Sequence, residues 1–393
     1  MAKRQLVEVD ALDWGGLFPW THIFRAVRIA FSFRKILLGA LAFMIFDAIS
    51  SAISLSALVL QSEISIPLLP ERNPVWRDSI AGPGGFLGRF TLDSFIAAAP
   101  VTGLCRLIGM LLGKPTWGMV ATAVLGIIVW LLVWGIAGCA LARLAAVEFA
   151  KSERTSLGGA LRLALRYVFD LVYAPGLPLL AAAVLGLIAA ALATLTRVPV
   201  VGPEFEVALE FITLALGLGM LIVLIGATAG WPLMVSGIAV ERSDGFDGLS
   251  RAYGYIYDRP WHFAWFVIVA MVVGGVGLFV VSCGANLVVM LADGSAAWGK
   301  AVEAGPLSSG PRVGHLVLAY LLQGYAASYF WSATAIVYML LRQSSDGVPL
   351  TEMDSGHPEV REGLQSLARE RATLPIIDAP PVEPPPVEPS DAV

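Results

Sequence analysis

SLGGALRLALR, residues 156–166, opens on a serine, carries Arg162 and Arg166 one turn apart, and runs on into a long apolar stretch from Pro175. The same order occurs twice more. THIFRAVR at 21–28 leads into an apolar run from Ile36, and DGFDGLSRAY at 244–253 leads into one that follows Pro260. After each, the chain returns through a second apolar stretch. Self-similarity of this kind is read first, because it makes each copy one structural unit. Three units of surface helix plus hairpin predict an all-α fold, a polytopic membrane bundle of six transmembrane helices.

Composition agrees. Of 393 residues, 57% are hydrophobic and 14% charged, against roughly half and a quarter in soluble domains. A net charge of -4 offers no basic surface to a nucleic acid. Cys105, Cys139 and Cys283 are odd in number and lack metal-ligand spacing, so neither a disulfide framework nor a metal or other cofactor is expected. Residues 1–35 carry charges throughout and have no compact apolar core before a small-residue cleavage site. That predicts an uncleaved first span.

Apolar stretches of about 20 residues, enough to cross roughly 30 Å of hydrocarbon, fall near 36–60, 117–141, 175–196, 208–240, 261–291 and 316–341. With six spans, segments 1–35, 142–173, 241–260 and 342–393 share one side and hold 6, 5, 3 and 4 Lys and Arg residues. That is 18 against 8 on the other side, five of the 8 lying in the external loop 61–116. The positive-inside rule places both termini in the cytoplasm and the protein in the inner, cytoplasmic membrane. Residues 92–112 compete as a seventh span. Pro100, Gly103 and Arg106 interrupt them, whereas Leu104, Leu107, Ile108, Leu111 and Leu112 form one helical stripe, which favours an interfacial or re-entrant helix.

Three regions follow: a cytoplasmic N-terminus with an interfacial helix (1–35), a six-span domain (36–342) with surface helices at 156–170 and 244–258, and a tail (343–393). The tail repeats PPVEP at 380–384 and 385–389, which predicts extended, disordered chain, a solvated terminus by default and a docking strand for a protein partner as the alternative. The surface helices are basic on one face. Thr21, Ser156 and Asp244 or Asp247 are cap candidates, Arg25, Arg28, Ser32 and Lys35 line one side of the first copy, and Phe24, Val27 and Phe31 line the other. Arg25, Arg28, Arg162, Arg166 and Arg251 are therefore candidate contacts for membrane lipid headgroups, the alternative being an orientation signal combined with a topological elbow. The spans 117–141, 208–240 and 316–341 each contain a tryptophan, Trp134, Trp231 and Trp331, and exit into polar turns at 151–156, 242–245 and 344–347.

At this point the chain resembles the six-helix membrane domain associated with bacterial glycerophosphodiester phosphodiesterases and with related multi-pass membrane proteins, through its unit order and through Gly159, Arg162, Gly248 and Arg251. The resemblance implies a membrane-anchoring domain. It carries over no catalytic residue, since the soluble phosphodiesterase part has no counterpart here. His22, His262, His315 and His357 are scattered, no nucleophile, metal or phosphate-loop motif occurs in a useful context, and no enzymatic activity is expected. Asp47 is the one acid deep in a span, and Ser50, Ser51 and Ser54 continue its face. With Asn286 and Gln323 as partners it forms the candidate intramembrane polar site. A scaffold or partner-binding component is the leading reading, and a proton- or ion-coupled permease working through Asp47 is the rival. Gly217, Gly219, Gly226, Gly230 and Pro232 allow the rival a kinked or broken fourth span. Oligomeric state is not encoded.

Overall fold

The computed structural model describes residues 18–59, 100–111, 116–195, 202–300 and 313–353. Among them there is no strand. Ten α-helices follow a 3₁₀ turn at Pro19–Phe24: α1 Arg25–Ala30, α2 Phe33–Val59, α3 Pro100–Gly109, α4 Trp117–Lys151, α5 Leu157–Arg166, α6 Val168–Leu195, α7 Gly202–Glu241, α8 Gly245–Asp258, α9 Pro260–Lys300 and α10 Val313–Asp346. The fold is an all-α polytopic membrane bundle. Five helices, α2, α4, α6, α7 and α9, are long and apolar enough to cross a bilayer. α10 is as long but more polar, with Tyr320, Gln323, Tyr325, Ser328, Tyr329, Ser332 and Tyr338 along it. The order is short, long, long in each third of the chain, with α3 inserted in the first.

Local chemistry sets the ends. Ser156 Oγ accepts the Gly159 amide at 3.2 Å and Asp244 Oδ1 the Asp247 amide at 3.2 Å, so α5 and α8 begin on side-chain caps at two of the expected positions. Thr21 does not cap. It lies inside the 3₁₀ turn and its hydroxyl donates back to the Phe18 carbonyl at 2.7 Å. α4, α7 and α10 all stop in the same way, with a left-handed residue, Ser152 (φ 55°), Arg242 (φ 55°) and Gly347 (φ 68°). Each of the three amides returns to a carbonyl four residues back, on Glu148, Ile238 and Gln343.

α4, α7 and α10 touch one another and form the centre of the bundle. α2 packs against α10 and α4, α6 against α7 and α4, and α9 chiefly against α10. The short helices α1, α5 and α8 pack against the long ones, α1 on α10 and α4, α5 on α4, and α8 on α7 and α6. α1 buries Ala26, Ile29 and Ala30 in the bundle while Phe24 and Phe31 face outward, so it has a third, inward face that a two-sided reading does not anticipate. The expected basic row also breaks. The helix ends at Ala30, and the Ser32 carbonyl takes the amides of Lys35 and Ile36 to start α2 on a new axis. Lys35 therefore turns inward and is 3% exposed.

α2 and α10 cross backbone to backbone at Gly39 and Gly324. A Cβ on Gly324 would press into the Ile36 carbonyl and lie 2.8 Å from the Ala40 amide nitrogen, and one on Gly39 would lie 2.7 Å from the Gly324 carbonyl. α3, ten residues and about 15 Å long, buries Leu104, Leu107 and Ile108 and sets Gly103 against the Trp130 ring. The tail beyond Met353 lies outside the described residues, as does 60–99 of the loop. α10 runs to Asp346, so the helix extends past the expected tail boundary at 343.

Candidate functional site

Asp47 is half-buried on α2, and its Oδ2 accepts a hydrogen bond from the Tyr320 hydroxyl on α10 at 3.0 Å. Its partner is thus a tyrosine the sequence reading passed over. Tyr320 lies three residues before Gln323, and a phenol there is readable only once the two helices are known to be neighbours. Of the serines, Ser50 is buried and Ser51 exposed, and the Ser54 side chain lies outside the described residues. Asn286 spends its amide on its own helix, donating to the Ser282 carbonyl at 2.8 Å. Gln323 Oε1 is buried and has no partner among the described residues.

The five candidate headgroup arginines separate by environment. Arg28 and Arg162 are exposed. Arg166 lies over the Tyr167 ring at 5.9 Å. Arg25 stacks over Phe149 at 4.6 Å and donates to the Phe149 carbonyl at 3.4 Å. Arg251 is committed to carboxylates: Glu241 Oε2 at 2.6 Å and Asp247 Oδ1 at 2.9 Å. Its pKa is lowered by burial and raised by more than that by those two acids, so it stays charged.

The strongest polar constellation was missed from sequence. Glu241, 2% exposed at the end of α7, takes Arg342 Nη1 at 3.3 Å, Arg251 at 2.6 Å and the Tyr338 hydroxyl at 2.7 Å. Arg342 also donates to the Glu352 carbonyl, and Tyr255 donates to Asp346 at 2.6 Å. Nearby, Arg143 Nη1 reaches the carbonyls of Ala239 and Val240 at 3.1 Å, closing the C-terminal end of α7. Lys35 pairs with Glu148 at 2.7 Å and donates to the Ile29 carbonyl at 2.9 Å. The sequence reading puts Lys35 in the basic row of the first surface helix and Arg251 among the headgroup contacts, and assigns no role to Glu241, Arg342, Arg143 or Glu148. The available signal was the opposite sign of Glu241 and Arg342 at matching exits.

Above this network the centre of the bundle is aromatic. Trp134, Trp231 and Trp331, one from each central helix, are fully buried. Trp231 and Trp331 meet edge to face at 5.5 Å, and Trp130 bridges Trp134 at 5.6 Å and Trp231 at 6.4 Å. Phe46 and Phe43 close on Trp130 and Trp134 at 4.8 and 4.7 Å. Glycines make room: the Trp331 ring occupies the space a Cβ on Gly138 would need, and the Tyr253 ring does the same at Gly226. Gly226 thus receives an aromatic of α8 rather than a neighbouring span. α7 stays helical through Gly217, Gly219 and Pro232.

No group of three His, Cys, Asp or Glu side chains among the described residues is placed to hold a metal ion. Comparison with family models, with curated proteins and with solved structures gives no match.

Proposed function

We propose that the protein is a scaffold or partner-binding component of the cytoplasmic membrane, with no catalytic activity of its own. Three units of surface helix and hairpin give six spans, both termini are cytoplasmic, and the short helices rest on the inner leaflet with Arg28 and Arg162 at anionic headgroups. The observation that carries the reading is the filled centre. Between α4, α7 and α10, where a permease needs a path, stand Trp130, Trp134, Trp231 and Trp331 in mutual contact. The continuity of α7 weighs the same way, because broken helices at the midplane supply the ion ligands of many transporters. The resemblance to the phosphodiesterase-associated membrane domain points in the same direction.

Asp47 decides between this reading and its rival. As a packing group it is bound to Tyr320, and Asp47→Asn keeps a hydrogen-bond acceptor at that oxygen. The expected result is an assembled protein with unchanged thermal stability, to within about 1 kcal/mol. Wild-type protein in proteoliposomes under an imposed proton gradient should pass no more protons than empty vesicles. Proton or solute flux that Asp47→Asn abolishes in a folded protein would replace the scaffold with the permease.

A further inference from the structure

The four indole N–H groups of the aromatic layer, on Trp130, Trp134, Trp231 and Trp331, have no acceptor among the described residues. Buried donors are nearly always paired, and each exception calls for a cause. Ring faces answer only part of it. Trp231 and Trp331 stand at 83°; in such a pair one ring offers an edge and the other a face, so at most one N–H is aimed at a π cloud. Trp130 meets Trp134 at 50° and Trp231 at 48°, which are tilted, but Phe46 on Trp130, Phe43 on Trp134 and Phe330 on Trp331 stand edge to face at 86°, 76° and 84°, so Trp231 is the indole with the fewest ring faces around it.

The hydroxyls point the same way. Thr122, Thr213, Thr228 and Thr334 donate to the carbonyl one turn back at 2.7 to 2.8 Å, the usual outlet for a helical hydroxyl in an apolar setting. Ser236 and Ser332 are fully buried and do not take it. Ser332 follows Trp331 in the chain, and Ser236 lies on α7 five residues past Trp231. Buried donors without a protein acceptor among the described residues thus occur on all three central helices, α4, α7 and α10.

We infer that this layer binds a small hydrogen-bond acceptor, held by Nε1 of Trp231 and Trp331 and by the Ser332 hydroxyl. Two indole N–H groups, which donate only, with a hydroxyl free to donate suit a lone-pair acceptor better than a cation. Internal water and a small inorganic anion share this chemistry. The inference does not rest on the scaffold reading, since a plug can hold a guest without passing it.

The test uses the full chain in lipid nanodiscs, labelled with nitrogen-15 at the indoles. Chloride, bromide and nitrate are titrated at constant ionic strength while tryptophan fluorescence and the indole N–H resonances are followed. Saturable quenching with matching resonance shifts, weakened about tenfold by Trp231→Phe or Ser332→Ala through loss of one donor, establishes an anion. No response to anions, but downfield N–H resonances with exchange cross-peaks to water, establishes water. Indole resonances without either signature, unchanged by Ser332→Ala, overturn the proposal and leave a dry π-packed layer. Ser332→Ala removes a hydroxyl without adding volume, so it remains informative if Trp231→Phe fails to fold.

Discussion

At Gly324 the helices α2 and α10 touch through their backbones, so a single methyl group has nowhere to go. Its nearest neighbours are the Ile36 carbonyl and the Ala40 amide, which cannot rotate away as a side chain can. Gly324→Ala should destabilise by about 3 kcal/mol, the upper part of the range for overpacking, whereas Gly275→Ala, with nothing within 4 Å, should be nearly neutral. Thermal unfolding in detergent reads both, and equal effects would remove the close-crossing argument. Neither glycine stands out in a sequence of 40 glycines, because what distinguishes Gly324 is the chain opposite it. Tyr253 gives a pH signature. Its ring covers Gly226, its hydroxyl donates to the Val223 carbonyl at 2.9 Å, and burial, with Tyr257 beside it, pushes its phenol from 10.0 up to about 12. The folded state therefore holds this proton more tightly than the unfolded chain does. The stability it contributes is complete below pH 10 and is lost as pH rises through about 12. Melting temperature should stay level to the lower value and then fall, with a shallower fall in Tyr253→Phe. Tyr255, raised by burial and by its bond to Asp346, adds to the same alkaline limb.

Charged groups near the helix ends join the thirds of the chain. α7 ends on Glu241, α10 supplies Arg342 one turn before its own end at Asp346, and α8 supplies Arg251, so one carboxylate gathers cations from two neighbouring elements. Burying such a group is costly unless its partners remain, so removing one partner exposes the full penalty of the other. Glu241→Leu is expected to cost about 3 to 5 kcal/mol, since Arg342 is left buried without a counter-charge. Adding Arg342→Leu should recover a large part of that. A double-mutant cycle by denaturant unfolding in mixed micelles measures the coupling, and strict additivity would mean that the two groups are independently solvated. The sequence made the helices, two of the three caps and the polar exits legible, because apolar length and Ser or Asp before a turn are local signals. It did not make Glu241–Arg342 or Asp47–Tyr320 legible, because these pairs are 101 and 273 residues apart and depend on which helices are neighbours. The inward turn of Lys35 was hidden for a related reason: a periodic row of cations reads as one face until a break at Phe31 and Ser32 changes the axis.

For the whole molecule the open quantity is the number of crossings, and α10 decides it. By composition it is the least apolar of the long helices, since tyrosine, serine and glutamine recur along it. By position it needs to be less apolar than the others, because lipid does not set its solvent. From Leu322 to Arg342 nearly every side chain is buried against other helices, and polar groups are tolerated at membrane depth when they face protein. α10 also keeps pace with α9, which is apolar enough to span. Ser344 lies 3.4 Å from Arg259, just before α9 begins, the Tyr325 hydroxyl approaches Gly277, and Tyr329 donates to the Ala270 carbonyl at 2.7 Å. If α9 crosses, α10 crosses beside it, and the exits at Ser152 and Ser344 share a face. Single cysteines at these two positions, in a chain with Cys105, Cys139 and Cys283 replaced by alanine, should react with an impermeant maleimide only after the cytoplasmic side is opened. Cysteines at Thr116 and Trp298, where α4 begins and α9 nears its end, should react from outside in intact cells. Labelling of Ser344→Cys from the same side as Trp298→Cys would mean that α10 returns without crossing. The chain would then have five spans, and the charge asymmetry that placed both termini in the cytoplasm would have to be assigned anew.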